Sequence, residues 1–472
     1  MCPGENEEQR DFNEGKEDFS TLDLSSQELT SLTDDILLHK KLANLTLDYN
    51  DLCSLPEAVN SLEHLTKLSI CGNNITELPY DLHLVNLEVL LMDENNLTAL
   101  PDSFGNLVKL RKLSLIGNGL KTFPNTFGEM CSLQELYVDE NNLKDLSFSF
   151  KDLLCLEIFE ASNNKLKTLS DDIGCASKLR ILNLNFNQLA KLPESLSHLS
   201  NVEILDLSNN LLVELPEIFD SSGILVKFMV ENNNLKFLPN WCTDIPSLEE
   251  LYLSDNAITN ELFDDKFCQS AVNLKILEAG ANYMESISEK FGLLTKLEQV
   301  HFGSTIPELE RSHFQNGNWM SHLPDSFCQL DRLVKANLNE NQLHYLPDGF
   351  GALSSLTWLD LGQNMLRHLP PTFCELSNLE FLQLSKNQLE ELPADIGNLQ
   401  KLIELRLDNN QLKEVPSSLG TVKCLQALDL FCNELDALPD VIFHLKKLVR
   451  LDLDQNNFKL ALEEVPKITP GI

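Results

Sequence analysis

The residue types that catalyse reactions or bind metals are present, but their spacing matches no known site. The chain has no GxxxxGK[ST] phosphate loop, no HExxH, no GxSxG and no GxGxxG between a strand and a helix. A zinc ion needs ligands about 2 Å away, whereas His322 and His368 occupy the same position in repeats two apart, about 10 Å from each other. We predict no enzyme, no metal site and no cofactor; the histidines considered are His301, His313, His322, His344 and His368.

Residues that anchor protein interfaces occur at a second set of positions. Trp, Tyr, Met and Arg are enriched in the energetically important parts of such interfaces. Trp358, Phe381 and Arg406 fall on strand-face positions of three successive repeats, which predicts that their side chains are in contact range. We predict a primary partner site near residues 335–431 and a weaker second patch. The primary candidates are Trp358, Asp360, Phe381, Arg406, Asp408 and Phe431, and the second patch is Tyr137, Met229 and Tyr252.

A repeat of 23 residues places these side chains. Residues 65–79 read LTKLSICGNNITELP and residues 402–416 read LIELRLDNNQLKEVP, and both fit LxxLxLxxNxLxxLP. About 19 such units span residues 19–460. This pattern is that of the leucine-rich repeat, which predicts an α/β solenoid, a horseshoe or superhelix with a parallel sheet on its concave side. The template asparagine recurs at Asn50, Asn73, Asn95, Asn118, Asn141, Asn164, Asn187, Asn210, Asn233, Asn256, Asn282, Asn318, Asn341, Asn364, Asn387, Asn410, Asn433 and Asn456.

Each consensus position has a physical reason. In a strand, alternate side chains face opposite sides, so Leu405 and Leu407 should be buried while Arg406 is exposed. The asparagine amide can both donate and accept, so it can satisfy backbone groups in the bend after the strand. The Leu-Pro pair ends the strand pattern because proline lacks a backbone donor. Segments such as 100–107 then return along the convex side with helix-like apolar spacing.

The repeat spacing is interrupted in two places. Three extra residues occur around 260–267, and about thirteen occur within 303–317. Insertions in surface loops cost little stability, so a neutral loop is one interpretation. Loops on a rigid scaffold also often bind partners, so a recognition loop is the other.

Composition limits the partners and the compartment. Asp and Glu total 72 against 36 Lys and Arg, a net charge of −36, which disfavours nucleic acid and anionic membranes as partners. We find no secretory signal pattern and no apolar run long enough to span a membrane. The scattered cysteines are typical of a reduced protein, so we expect a cytoplasmic or nuclear location. We expect residues 1–18 to be a disordered acidic terminus and 461–472 to be a C-terminal tail.

The unit LxxLxLxxNxLxxLPxxFGxLxx, without cysteine caps, resembles that of the Ras-group intracellular leucine-rich repeat proteins. That group includes Soc/Shoc-type scaffolds, plant intracellular Ras-group proteins and the repeat portions of erbin- and scribble-type proteins. The resemblance implies a scaffold that brings a small Ras-like GTPase to a phosphatase or kinase. The chain departs from the Soc/Shoc type because residues 1–18 contain neither a basic extension nor a Val or Ile.

We therefore predict a non-enzymatic protein–protein interaction scaffold in intracellular, Ras-type signal transduction, with the partner on the concave face. The alternative is an acidic binder or chaperone of basic proteins such as histones, which the charge of −36 favours. Such a binder would act on many basic proteins in a salt-sensitive manner. The sequence leaves the partner, the pathway, the oligomeric state and the role of the insertion open.

Overall fold

Each LxL triplet of the sequence forms a three-residue β-strand. The structure is a computed structural model that describes residues 20–217, 219, 223–259, 263–305 and 316–458. The predicted terminal segments 1–18 and 461–472, and residues 306–315 of the insertion, lie outside the described residues. The chain divides into two compact units, Met1–Leu143 with Ser147–Leu156, and Lys144–Leu146 with Glu157–Ile472.

In the first unit the strands pair in parallel with their neighbours in chain order. The central residue of each triplet is a leucine, and from Leu45 onward these leucines are at most 1% exposed. The strands are β1 (Thr21–Asp23), β2 (Asn44–Thr46), β3 (Lys67–Ser69), β4 (Val89–Leu91), β5 (Lys112–Ser114) and β6 (Glu135–Tyr137).

The second unit repeats the same parallel pairing in the same order. Its strands are β7 (Ile158–Glu160), β8 (Ile181–Asn183), β9 (Ile204–Asp206), β10 (Lys227–Met229), β11 (Glu250–Tyr252), β12 (Ile276–Glu278), β13 (Gln299–His301), β14 (Lys335–Asn337), β15 (Trp358–Asp360), β16 (Phe381–Gln383), β17 (Glu404–Arg406), β18 (Ala427–Asp429) and β19 (Arg450–Asp452). The parallel α/β solenoid that the repeat predicts is thus confirmed.

The template asparagines form a buried ladder beside the strands. The Asn210 amide nitrogen donates to the carbonyl oxygens of Leu184, Leu207 and Ser208 at 3.0, 3.1 and 3.1 Å. Its amide oxygen accepts from the backbone N–H of Leu189 at 3.0 Å. One side chain therefore satisfies backbone groups of its own turn and of the preceding one, as the sequence predicts.

The residue before most of the ladder asparagines adopts a left-handed backbone conformation. Its φ is 55° at Asn209 and 49° at Phe186, and Gly72 and Gly117 occupy the same position in other repeats. Left-handed geometry costs an L-residue about 1–2 kcal/mol. This conformation could not be predicted from the sequence, because most of these positions carry residues other than glycine.

The return segments form mostly 3₁₀ turns, which refines the expected helix-like spacing. Most begin after a proline in extended backbone geometry, such as Pro101 with φ −71° and ψ 156°. Phenylalanines of successive turns stack in the core, as between Phe327 and Phe350 at 6.4 Å between ring centroids. The two α-helices described are α1 (Asp34–Leu37) and α2 (Asp265–Ser270). The 3₁₀ helices are Glu57–Ser61, Asp102–Asn106, Asn125–Glu129, Ile173–Cys175, Glu194–His198, Asn240–Thr243, Phe291–Leu293, Asp325–Gln329, Phe350–Ala352, Pro371–Glu375, Ile396–Asn398, Ser417–Thr421 and Asp440–His444.

Candidate protein-interaction site

The exposed face of the sheet in the second unit carries most of the candidate residues. Pairing places Trp358 opposite Phe381, and Phe381 opposite Glu404, in the column of first strand residues. Arg406 lies in the neighbouring column, opposite Gln383. Three of the predicted residues therefore lie on adjacent strands β15, β16 and β17, although they do not form one straight column.

Four side chains form a continuous stack across strands β14 to β17, which we call the aromatic ladder. Trp358 and Phe381 stack with ring centroids 5.2 Å apart and planes 6° from parallel. The Lys335 ammonium lies 5.1 Å from the centroid of Trp358, and the Arg406 guanidinium carbon lies 5.6 Å from that of Phe381. Cation–aromatic contacts of this kind contribute about 0.5–1 kcal/mol at exposed sites.

A carboxylate fixes the arginine end of the ladder. Glu404 accepts from Nε of Arg406 at 2.7 Å, and its second oxygen lies 3.5 Å from the Arg450 guanidinium. The Glu404 side chain is only 20% exposed. A partly buried carboxylate that binds two guanidinium groups holds Arg406 in place before any partner arrives.

Lys335 was missed by the sequence analysis, which considered aromatic, arginine and acidic side chains. The signal was present, because Lys335 occupies the same repeat position as Trp358, one repeat earlier. Among the described residues it forms no ion pair with a carboxylate. Its exposed ammonium group extends the ladder by one strand.

Asp360 lies beside the ladder and already has hydrogen-bond partners. Its carboxylate accepts from the backbone N–H of Gly362 at 2.8 Å and from the Asn339 amide at 3.0 Å. Burial raises the pKa of the Asp360 carboxyl to about 6, and the hydrogen bonds from Gly362 and Asn339 offset this only in part. Asp360 is therefore better placed to organise the face than to bind a partner's cation.

Other carboxylates lie at the C-terminal end of the same face. We define the acidic corner as Asp408, Asp429, Asp452 and Asp454. Asp408 accepts from the Ser385 hydroxyl and from the Asn409 amide, the latter at 2.8 Å. Asp429 lies opposite Asp452 on the next strand. Burial, with repulsion from Asp408 and Asp452, raises the pKa of the Asp429 carboxyl.

The remaining primary candidate, Phe431, lies within this corner. It follows strand β18 and is half-buried, and its backbone N–H donates to the Asp429 carboxylate at 3.0 Å. It is therefore an apolar surface next to the carboxylates, separate from the stacked rings of the ladder.

The predicted second patch divides between the two units. Met229 and Tyr252 lie opposite each other on β10 and β11 in the second unit, whereas Tyr137 lies on β6 in the first. The Tyr252 hydroxyl donates to Glu250 at 3.1 Å, and Lys227 pairs with Glu250 at 2.9 Å. The hydrogen bond from Lys227 lowers the pKa of Glu250.

Tyr137 has the same surroundings in the first unit. Its hydroxyl donates to Glu135 at 3.1 Å, and Lys112 pairs with Glu135 at 2.7 Å and lies 4.9 Å from the Tyr137 ring centroid. In both places a glutamate accepts a hydrogen bond from a tyrosine and forms an ion pair with a lysine. Their polar groups are therefore less available to a partner than the stacked rings of the ladder.

Sequence reasoning also missed an exposed aromatic cluster in the loops that follow the strands around the insertion. Tyr283 and Trp319, each 48% exposed, lie 5.1 Å apart between ring centroids. Tyr345, 57% exposed, stacks on His322 at 6.4 Å. Each of these residues follows a ladder asparagine by one or four positions, a signal that a scan of the loop columns would have found.

The described part of the chain contains neither a candidate metal cluster nor a candidate membrane-spanning helix. No group of three or more His, Cys, Asp or Glu side chains is arranged there to hold a metal ion. His313, one of the histidines considered, lies outside the described residues. Within those residues, no helix combines the length and the apolar character needed to cross a membrane.

Comparison with known families identifies the repeat. A model described as "Leucine rich repeat" matches residues 63–120, 85–143, 200–258, 331–389 and 400–458, and a second model of that description matches 178–199. No curated protein sequence matches the chain.

Solved structures of proteins from several organisms have the same fold at low sequence identity. A leucine-rich repeat protein of Leptospira interrogans is 28% identical, over 93% of this chain and 90% of that one, with a TM-score of 0.57. YopM from Yersinia enterocolitica is 26% identical, over 92% and 91%, with a TM-score of 0.62. The ectodomain of the Arabidopsis thaliana receptor kinase GASSHO1/SCHENGEN3, in complex with CASPARIAN STRIP INTEGRITY FACTOR 2, is 28% identical with a TM-score of 0.62. The match covers 92% of this chain and 59% of that one.

Proposed function

Because this chain belongs to the leucine-rich repeat family, whose fold is typical of protein–protein interaction scaffolds, we propose that it is a non-enzymatic scaffold with its main partner site at the aromatic ladder. The single observation that supports this placement is the stack of Lys335, Trp358, Phe381 and Arg406 on the exposed sheet face. No other stack of this length is described on a strand face of the second unit.

The ladder has the properties of an interface anchor. Its rings are half-buried and lie outside the leucine core, so the fold does not require them. Stacking and the Glu404 contacts hold the side chains in one arrangement, which reduces the entropy lost on binding. Trp and Arg are the residue types that most often dominate binding energy.

We further propose that the scaffold acts in Ras-type signalling, in the cytoplasm or the nucleus. The resemblance of the 23-residue unit to the Ras-group intracellular repeats supports it, with a small GTPase or a phosphatase as the expected partner. A purified Ras-type GTPase, loaded with GDP or with a non-hydrolysable GTP analogue, tests this directly. Nucleotide-dependent binding that requires the ladder would support the assignment, and equal absence of binding in both states would refute it.

The location of the site is tested with a double variant. Trp358→Ala/Arg406→Glu should abolish capture of the main partner from cell extract, as measured by affinity purification and quantitative mass spectrometry. The matched control is Tyr252→Ala/Lys227→Glu, which changes an aromatic and a cationic residue on the same face. If the control loses the partner and the ladder variant keeps it, the site has been misplaced.

The acidic binder of basic proteins remains the second candidate because of the charge of −36. It predicts that many basic proteins are captured, that all are lost together at high salt, and that the ladder variant retains them. The same purification at two salt concentrations therefore distinguishes the two functions.

A further inference from the structure

We propose that the partner binds as an extended segment with an aromatic or apolar anchor on the ladder and Lys or Arg side chains over the acidic corner. This inference rests on the proposed function, because it specifies the chemistry of the partner at the same face. It assigns the ladder and the corner to one continuous binding surface.

The ring faces of the ladder are already occupied. Strand order places Lys335 on one side of Trp358 and Phe381 on the other, and Arg406 covers the outer face of Phe381. A cation from the partner therefore has no free ring face to bind. What remains accessible is the ring edges, which suit an apolar or aromatic side chain.

The charged side chains of this face differ in whether they already have an ion-pair partner. Arg406 and Arg450 both pair with Glu404, so the arginines on this face are already engaged. Among the ion pairs of the described residues, none involves the four carboxylates of the acidic corner. Repulsion among them is unfavourable in the free chain, and a cation from the partner would remove it.

The distance from the ladder to the acidic corner sets the length of segment that can contact both. The corner carboxylates Asp429 and Asp452 lie on β18 and β19, two to three strands beyond Phe381 on β16. At ~4.8 Å per strand, the separation is roughly 10–15 Å. An extended chain advances about 3.3 Å per residue, so the basic side chains should follow or precede the anchor by ~3–5 residues.

The test uses synthetic peptides in a Gly/Ser background and the full chain, with fluorescence anisotropy as the readout. The probe carries Trp and, ~4 residues later, Arg-Arg. Comparison peptides replace Arg-Arg by Glu-Glu, replace Trp by Ser, or move Arg-Arg to more than ~10 residues away. We expect the probe to bind at least ~5-fold more tightly than each of the three.

The charge contact is tested on the protein. Asp429→Asn/Asp452→Asn should weaken probe binding by ~5-fold to 10-fold. The matched control, Asp331→Asn/Asp348→Asn, makes the same change in net charge at exposed positions near the return turns and should leave the affinity unchanged. Equal weakening by both pairs would overturn the inference, as would equal binding of the Glu-Glu peptide or of the long-spaced peptide.

The outcomes separate this inference from the proposed function. If partner capture depends on Trp358 while probe binding is unaffected by loss of the corner carboxylates, the proposed partner chemistry is wrong. In that case the proposed site at the ladder is still supported. If neither capture nor probe binding depends on Trp358, both proposals fail.

Discussion

At the residue scale, the fold depends on side chains that serve the backbone. A ladder asparagine such as Asn210 makes four hydrogen bonds to main-chain groups that are otherwise inside the protein. Leaving a buried donor or acceptor unpaired costs about 1–3 kcal/mol. Hydrophobic burial of the neighbouring leucines cannot replace these bonds, because an apolar side chain supplies neither donor nor acceptor.

Asn210→Leu should therefore lower the free energy of unfolding by about 2–4 kcal/mol. The control is Asn234→Leu, the same substitution at an exposed residue whose side chain makes no described hydrogen bond. Urea denaturation followed by far-UV circular dichroism measures both. Similar midpoints for the two variants would contradict the role assigned to the asparagine.

The Asp360 carboxyl gives a pH-dependent prediction. Burial raises its pKa in the folded state to about 6, above the usual value near 3.9. The group thus contributes stability that is fully present below about pH 4 and is lost as pH rises through about 6. Wild type should lose stability relative to Asp360→Asn between pH 4 and 7. A flat difference for Asp360→Asn, from urea midpoints at each pH, would argue against the raised pKa.

At the element scale, the bend after each strand combines a ladder asparagine with a left-handed residue before it. Gly117 holds this position at φ 65°, and a Cβ there would meet its nearest atom at 3.6 Å, an ordinary contact. Phe186 adopts the same conformation with a bulky side chain, 53% exposed. The two positions therefore differ in residue type and share the backbone constraint.

Gly117→Ala should lower the free energy of unfolding by about 1 kcal/mol, because alanine is strained in left-handed geometry and steric clash is absent. Phe186→Gly should raise it by up to about 1 kcal/mol for the opposite reason. Urea denaturation of both variants and of wild type shows whether each substitution lowers or raises the free energy of unfolding. Destabilisation by Phe186→Gly would mean that the ring makes contacts that outweigh the backbone strain.

The repeat register could be predicted because its signal is periodic and redundant. The spacing of 23 residues also predicts that Trp358 and Phe381 are neighbours, and the stacking follows from parallel pairing. The register also predicts that Arg406 is in contact range of these rings. That its guanidinium lies over the Phe381 ring, in the neighbouring column, could not be predicted, because this depends on the side-chain conformation that Glu404 fixes. The left-handed bend was missed because residues as different as Phe186 and Asn209 occupy it.

At the scale of the whole molecule, charge and aromatic anchoring act on different steps of binding. The net charge of −36 attracts basic partners over a distance and so raises the association rate. The ladder acts only on contact and so sets the dissociation rate. A partner recognised by both should bind faster at low salt but remain bound at moderate salt.

Raising the salt from about 0.1 M to about 0.5 M should therefore lower the association rate of the main partner by ~10-fold or more, with a much smaller change in its dissociation rate. Surface plasmon resonance with the immobilised full chain separates the two rates. A dissociation rate that rises as steeply as the association rate falls would indicate binding by bulk charge alone.

Hydroxyl-radical footprinting of the full chain, with and without its captured partner, tests whether the partner covers the ladder. This method reports on aromatic side chains, and two sets in the described residues can be compared: the half-buried rings of the ladder and the exposed rings of the loop cluster around the insertion. Oxidation of Trp358 and Phe381 should fall in the complex while that of Trp319 and Tyr345 is unchanged. Protection of Trp319 and Tyr345 with Trp358 and Phe381 still reactive would contradict this expectation and move the site to the loops.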